Sequence, residues 1–154
     1  MRCLRGHRRS AHGVVDEDMQ PGQDAPPQLR EARLCNTGGL VVDKIDEIVQ
    51  KRELAHARLT ELGSRVYDAF LQMEEAAFSD GALPKKVKEL IAVGISVVIN
   101  CESCMQWHID QAAIAKATEA EVLEAVEVGM EMGGGPATVS ARFALEVMER
   151  VFPT

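Results

Sequence analysis

Aromatic side chains are scarce in this 154-residue sequence, which holds one Trp, one Tyr and four Phe, 4% in all. Sheet proteins draw heavily on aromatic and β-branched residues, so this shortage speaks against a β-sandwich, while the plentiful Ala, Val, Leu, Ile and Met suit helices packed on helices. Basic residues are outnumbered, 17 Lys and Arg against 24 Asp and Glu, for a net charge of −7. That balance argues against a nucleic-acid partner, which needs clustered cations to neutralise phosphates. No apolar run approaches the roughly 20 residues of a membrane span. The basic start (Arg2, Arg5, Arg8, Arg9) leads into no apolar stretch, so no secretory signal is expected. A reducing cytoplasm is then the expected location. There a close cysteine pair is more often catalytic or metal-binding than a structural staple.

Hydrophobic residues make up 46% of the chain and charged residues 27%, ordinary for one globular domain. Composition changes near residue 40. Residues 1–39 show little apolar periodicity, and the run Gln20-Pro21-Gly22-Gln23-Asp24-Ala25-Pro26-Pro27 cannot hold a helix or a sheet ladder. We read residues 1–39 as a disordered tail with a helical turn near 28–34. Gly38-Gly39 could be encoded by a ribosome-binding sequence and Leu40, Val41 or Val42 by an alternative start codon, in which case the tail is untranslated.

Residues 40–154 read as one helical domain. Val41, Ile45, Ile48, Val49, Leu54, Leu59 and Leu62 recur at helical spacing, and Val66, Phe70, Met73, Ala77 and Phe78 form the next amphipathic segment. Pro84 opens a helix with Val87, Leu90, Ile91, Gly94, Ile95 and Val98 expected inward; it is apolar almost all round at its C-terminal end, which predicts a central position. Asn100 is expected to cap a helix over about residues 101–116. Thr118-Glu119-Ala120-Glu121 is a capping-box sequence ahead of the stripe Val122, Val126, Gly129 and Met130. Gly133-Gly134-Gly135-Pro136 ends that helix and starts another, with Val139, Phe143, Val147 and Val151 four apart. The expectation is an all-α, antiparallel array of five to six helices, carrying more apolar surface after residue 84 than one thin layer covers and therefore oligomeric.

Chemistry concentrates in Asn100-Cys101-Glu102-Ser103-Cys104-Met105-Gln106-Trp107-His108. Cysteines three apart on a helix lie about one turn apart, within reach of a disulfide. His108, four residues past Cys104, shares their face. At a helix start the Cys101 thiolate would be favoured by free N–H groups and the positive end of the helix dipole. Glu89 lies one helix earlier on an apolar face, where a carboxylate needs a partner, and His108 is a natural one. Competing readings remain. The thiols could be small buried hydrophobes, or Cys101, Cys104, His108 and Glu89 could hold zinc, although structural zinc usually takes its second ligand pair from a separate knuckle. A lone helical His is commonly a satisfied surface or core residue, Glu89 could form a surface ion pair with a lysine, and Trp107 is read as core. Cys3 and Cys35 receive no role.

The pattern Glu89-x11-Cys101-x2-Cys104-x3-His108 resembles the alkyl hydroperoxidase D group of the carboxymuconolactone decarboxylase-like superfamily, as does the run from Val126 to Ala137. The resemblance covers about residues 65–150. It implies an all-α fold assembled as homotrimers or homohexamers, and peroxide reduction through the cysteine pair. Glu89 and His108 match the family's proton relay; Cys101 and Cys104 match its thiols, with Cys104 the peroxidatic one, whereas the dipole argument favours Cys101. Ser103 stands where alkyl hydroperoxidase D has a second His, which touches substrate preference and rate. The namesake decarboxylases generally lack the CxxC pair.

These residues together predict a thiol-dependent peroxidase that needs no cofactor or metal, with a peroxide as substrate and a dithiol protein or small thiol as reductant. The alternatives are a thiol–disulfide oxidoreductase without peroxidase activity, or a non-catalytic redox-sensing assembly module.

Overall fold

The computed structural model describes residues 43–153. The expectations for the tail, including the turn at 28–34, the alternative start, Cys3 and Cys35, fall outside them. Five helical elements follow in order: α1 (Lys44–Glu61), α2 (Arg65–Phe78), α3 (Lys85–Val98), α4 (Glu102–Ile114) and α5 (Glu119–Val151). No strand occurs among the described residues, so the all-α expectation holds.

The boundaries have local causes. Gly63 takes φ +61°, and the Ser64 N–H reaches back to the Leu59 carbonyl at 3.1 Å, closing α1. The Ser64 hydroxyl then accepts from the Tyr67 N–H and starts α2. Asp80 Oδ1 accepts the Lys85 N–H at 2.7 Å at the start of α3. Thr118 and Glu121 form the expected capping box. α5 kinks at Gly134 (φ 63°, ψ −151°), a backbone conformation that suits glycine, with Pro136 in the turn that follows. The break falls where the Gly-Gly-Gly-Pro run placed it.

α3, α4 and α5 build the core around Val93, Val97, Met105, Ile109, Ala112, Val122, Val126, Ala141, Ala144 and Val147. α3 and α5 touch backbone to backbone: a Cβ on Gly129 would stand 2.7 Å from the Gly94 carbonyl oxygen. From α1 only Ile45 is buried, and from α2 no residue is.

Several sequence expectations need correction. The inner face of α3 is Glu89, Val93, Ser96 and Val97, while Ile91, Ile95 and Val98 are 49%, 55% and 44% exposed. A helix apolar on both faces gives periodicity no way to choose between them. The stripe of α2 is also largely open, with Val66 82% exposed, and Val139 on α5 is exposed although Phe143 and Val147 are buried. Lastly, Asn100 is not the cap of α4. It takes φ +53°, a conformation Asn tolerates, and ends α3, with the Cys101 N–H on the Ser96 carbonyl at 3.0 Å. Cys101 is the N-cap, and α4 stops at Ile114.

Candidate redox site

α3 and α4 lie side by side, and the short turn between them sets the site. Asn100 in the left-handed region reverses the chain within two residues, and its Oδ1 accepts from the buried Ser140 hydroxyl at 2.9 Å, tying the turn to α5. Cys101 and Cys104 follow at once and are joined as a disulfide, with Cα atoms 5.2 Å apart. As N-cap, Cys101 takes a role normally filled by an oxygen: its Sγ accepts from the Cys104 N–H at 3.3 Å. One turn further, His108 shares the cysteines' face.

Glu89 is only 2% exposed, yet it is satisfied: His108 Nδ1 lies 2.8 Å from Glu89 Oε2. This is the buried acid–imidazole couple that the spacing suggested, so the surface lysine pair is excluded for Glu89. A carboxylate in an apolar wall is costly unless paired, and here the partner is the His108 imidazole. The Phe78 ring, from the end of α2, stacks on the imidazole with centroids 5.2 Å apart and planes 25° apart.

Behind the cysteines a second polar network was not anticipated from the sequence. Arg52 of α1 donates to Gln106 Oε1 at 2.6 Å and to the Ser103 carbonyl at 3.4 Å, and lies 4.8 Å over the Trp107 ring. The buried Gln106 in turn donates to Asp110. Burial pushes the Asp110 carboxyl up to about 6, against the pull of Arg52. Trp107 is therefore not a core residue; it is half-buried and its Nε1 donates to Glu74 at 3.2 Å. The i, i+4 spacing of Gln106 and Asp110 was a legible sign of a pair. Arg52, Glu74 and Phe78 arrive from distant sequence and carried no local sign. Among the described residues no three His, Cys, Asp or Glu side chains are grouped so as to hold a metal ion, and no helix is long and apolar enough to cross a membrane.

Fold and site together define a small all-α protein whose CxxC disulfide opens a helix beside a buried carboxylate–imidazole couple. The profile of the carboxymuconolactone decarboxylase family matches residues 64–147, and the chain belongs to that family. It is 35% identical over 106 residues to uncharacterised protein 4 of the cox locus of Paracoccus denitrificans, covering 69% of this chain and 96% of that one. It is 43% identical over 77 residues to an uncharacterised protein of Cupriavidus necator, covering 50% of this chain and 68% of that one. Among solved structures, an apo carboxymuconolactone decarboxylase family protein of Legionella pneumophila is similar with a TM-score of 0.67 and 34% identity, over 71% of this chain and 97% of that one. A Thermotoga maritima member of the family, described as a candidate for the antioxidative response, has a TM-score of 0.62 at 24% identity over 68% of this chain and 89% of that one, a likeness in fold alone.

Proposed function

We propose that residues 40–154 form an alkyl hydroperoxidase D-like, thiol-dependent peroxidase that reduces hydroperoxides through Cys101 and Cys104 with Glu89 and His108 as proton relay. The observation that carries this reading is the hydrogen bond between buried Glu89 and His108 on the cysteines' side of α4. A cysteine pair that only senses redox state needs no desolvated acid–base couple, whereas one that must lose and pass protons does.

In the reduced enzyme His108, oriented by Glu89, takes the Cys104 proton. The thiolate attacks the outer peroxide oxygen; an S–O bond forms, the O–O bond breaks, and the alkoxide leaves as alcohol with the proton held by His108. Cys101 then attacks the Cys104 sulfenic acid, the disulfide forms, and water leaves. A dithiol protein or small thiol returns the pair to two thiols by exchange and is itself oxidised. All these steps use side-chain and substrate atoms, with no cofactor. Cys101 at the N-cap is a good leaving thiolate in that last step, because the Cys104 N–H and the helix dipole favour its anion. The same position favours the second reading, a thiol–disulfide oxidoreductase without peroxidase activity.

We place the protein in the cytoplasm and assign it a homotrimeric or homohexameric state, since Ile91, Ile95 and Val98 on α3 and Val128 and Met132 on α5 leave apolar surface that a second copy would cover. Hydroperoxide consumption with dithiothreitol as reductant tests the activity. Cys104→Ser should abolish it, and Glu89→Gln should lower it by about 10²–10⁴ with an unchanged melt, the usual worth of general acid–base help. Unchanged turnover in Glu89→Gln would remove the relay. Disulfide reduction without peroxide turnover in the wild type would select the second reading.

A further inference from the structure

α2 contributes no buried residue to the fold, and most of its apolar stripe is open. Two of its side chains reach α4. Glu74 receives the Trp107 N–H at 3.2 Å, and Phe78, the last residue of α2, stacks on His108. The end that carries Phe78 is tied down from α3: Lys88 Nζ donates to the carbonyls of Ala77 at 2.8 Å and Ser79 at 2.6 Å, and the Ser79 hydroxyl donates to the Ala76 carbonyl at 2.9 Å. Lys88 is the immediate neighbour of Glu89. Two adjacent residues of α3 therefore control the imidazole from two directions, Glu89 by a hydrogen bond at its edge and Lys88, through the end of α2, by the aromatic ring on its face.

The two restraints do different things. The ring is tethered at Cγ, and a single hydrogen bond at Nδ1 restrains its rotation about the Cβ–Cγ bond while leaving it some swing out of its plane. A flat surface against the ring removes that swing and so fixes the line along which Nε2 meets a proton donor. The geometry points to Phe78 as a positioning residue for His108, holding the imidazole plane so that the thiol proton is taken along a fixed direction. This rests on the reading of Glu89 and His108 as the relay. Misplacing a catalytic group by about 1 Å can cost up to about 10²-fold in rate, so a loosened but present imidazole should lose about tenfold.

The role belongs to a flat ring, which separates it from mere packing. Leu at position 78 keeps an apolar side chain without a planar face, whereas Tyr keeps the face. Reduced full-length protein is treated with iodoacetamide, and the alkylation rates of Cys101 and Cys104 are read by peptide mass, alongside thermal melts. In Phe78→Leu the faster-reacting of the two thiols should react about tenfold more slowly with a near-normal melt, and Phe78→Tyr should restore a rate within about twofold of wild type. Combined with His108→Gln, Phe78→Leu should cost nothing further, because Phe78 acts only through the ring that is gone. The upfield ring-current shift on the His108 ring protons should persist in the Tyr variant and vanish in the Leu variant. Equal rates for wild type and Phe78→Leu, a further loss on top of His108→Gln, or equal rates for wild type and His108→Gln would each overturn the assignment. Alkylation does not involve peroxide. A protein that follows this pattern but consumes no hydroperoxide would keep Phe78 in its role and drop the peroxidase reading.

Discussion

Among the described residues, every buried apolar side chain but Ile45 comes from α3, α4, α5 or the turn between the last two. α1 and α2 are attached by other means. Lys44 meets Glu102 at 2.5 Å, Arg150 meets Asp46 at 2.5 Å and Asp43 at 3.3 Å, Arg52 grips the first turn of α4, and His56 meets the Tyr67 hydroxyl at 2.9 Å. The inner three helices are held by area removed from water, and the outer two largely by charge and hydrogen bonds. Cys101, Cys104, His108 and Glu89 all stand on the inner three, while the groups that surround them, Phe78 and Arg52, come from the outer two. These four residues therefore sit on the helices with the most buried apolar contact, and what borders them sits on the helices with the least.

The sharpest break of this comparison is at Gly129. An added Cβ would stand 2.7 Å from the Gly94 carbonyl oxygen and 3.0 Å from the Val97 Cβ, so Gly129→Ala must push α3 from α5. We expect a loss of about 3 kcal/mol, the upper part of the range for overpacked cores, read as a fall in the urea midpoint at constant slope. A loss below about 0.5 kcal/mol would mean that the close crossing is not what holds the inner helices.

Asp110 tests the seam between the two regions. Its carboxyl is raised from 3.8 to about 6, chiefly by burial, with Arg52 of α1, Gln106 of its own helix and Arg150 of α5 pulling the other way. The folded state thus holds the proton more tightly than the unfolded chain. The associated stability is fully present below about pH 4 and is lost as pH rises through about 6. Asp110→Asn removes the ionisation but keeps a hydrogen-bonding group of the same size. It should melt higher than wild type at pH 8, by about 1–2 kcal/mol, with the gap closing between pH 6 and pH 4. A gap independent of pH would show that Asp110 is solvated and that the seam is looser than described.

Much of this architecture was legible in the sequence. Capping residues, the Gly-Gly-Gly-Pro break and 3.6-residue periodicity are local signals, and they located the helices. The Cys101–Cys104–His108 register is also local, since one helix fixes it, and Glu89 needed only the length of a single turn to be placed opposite. The inward face of α3 was not legible. Ile91, Ile95 and Val98 are as apolar as Val93 and Val97, and only the backbone crossing at Gly94 and Gly129 decides which set turns in. Asn100 was misplaced because Asn serves both as an N-cap and as a left-handed helix terminator, and here the disulfide-bearing residue took the cap. Phe78 and Arg52 were invisible because their partners lie far away in the chain. Residues within a helix can be read from spacing, and residues that approach it from another helix cannot.

The smallest effect expected is at Lys44, and it bears on the outer pair directly. Its ammonium meets Glu102 at 2.5 Å and sits 5.3 Å from the Phe143 ring centre, but both partners of the ion pair are well exposed. Water and salt screen such a pair, so Lys44→Gln should change the global melt by no more than about 1 kcal/mol. The local consequence is larger in proportion, because α1 has little apolar contact to fall back on. Amide hydrogen exchange resolves it. In Lys44→Gln, and in wild type moved from about 0.05 M to about 1 M NaCl, amides of α1 should exchange faster while those of α3 and α5 keep their rates. Equal acceleration of inner and outer amides would mean that the five helices open as one unit, and the division between an apolar interior and a charge-held exterior would then be one of composition without a counterpart in stability.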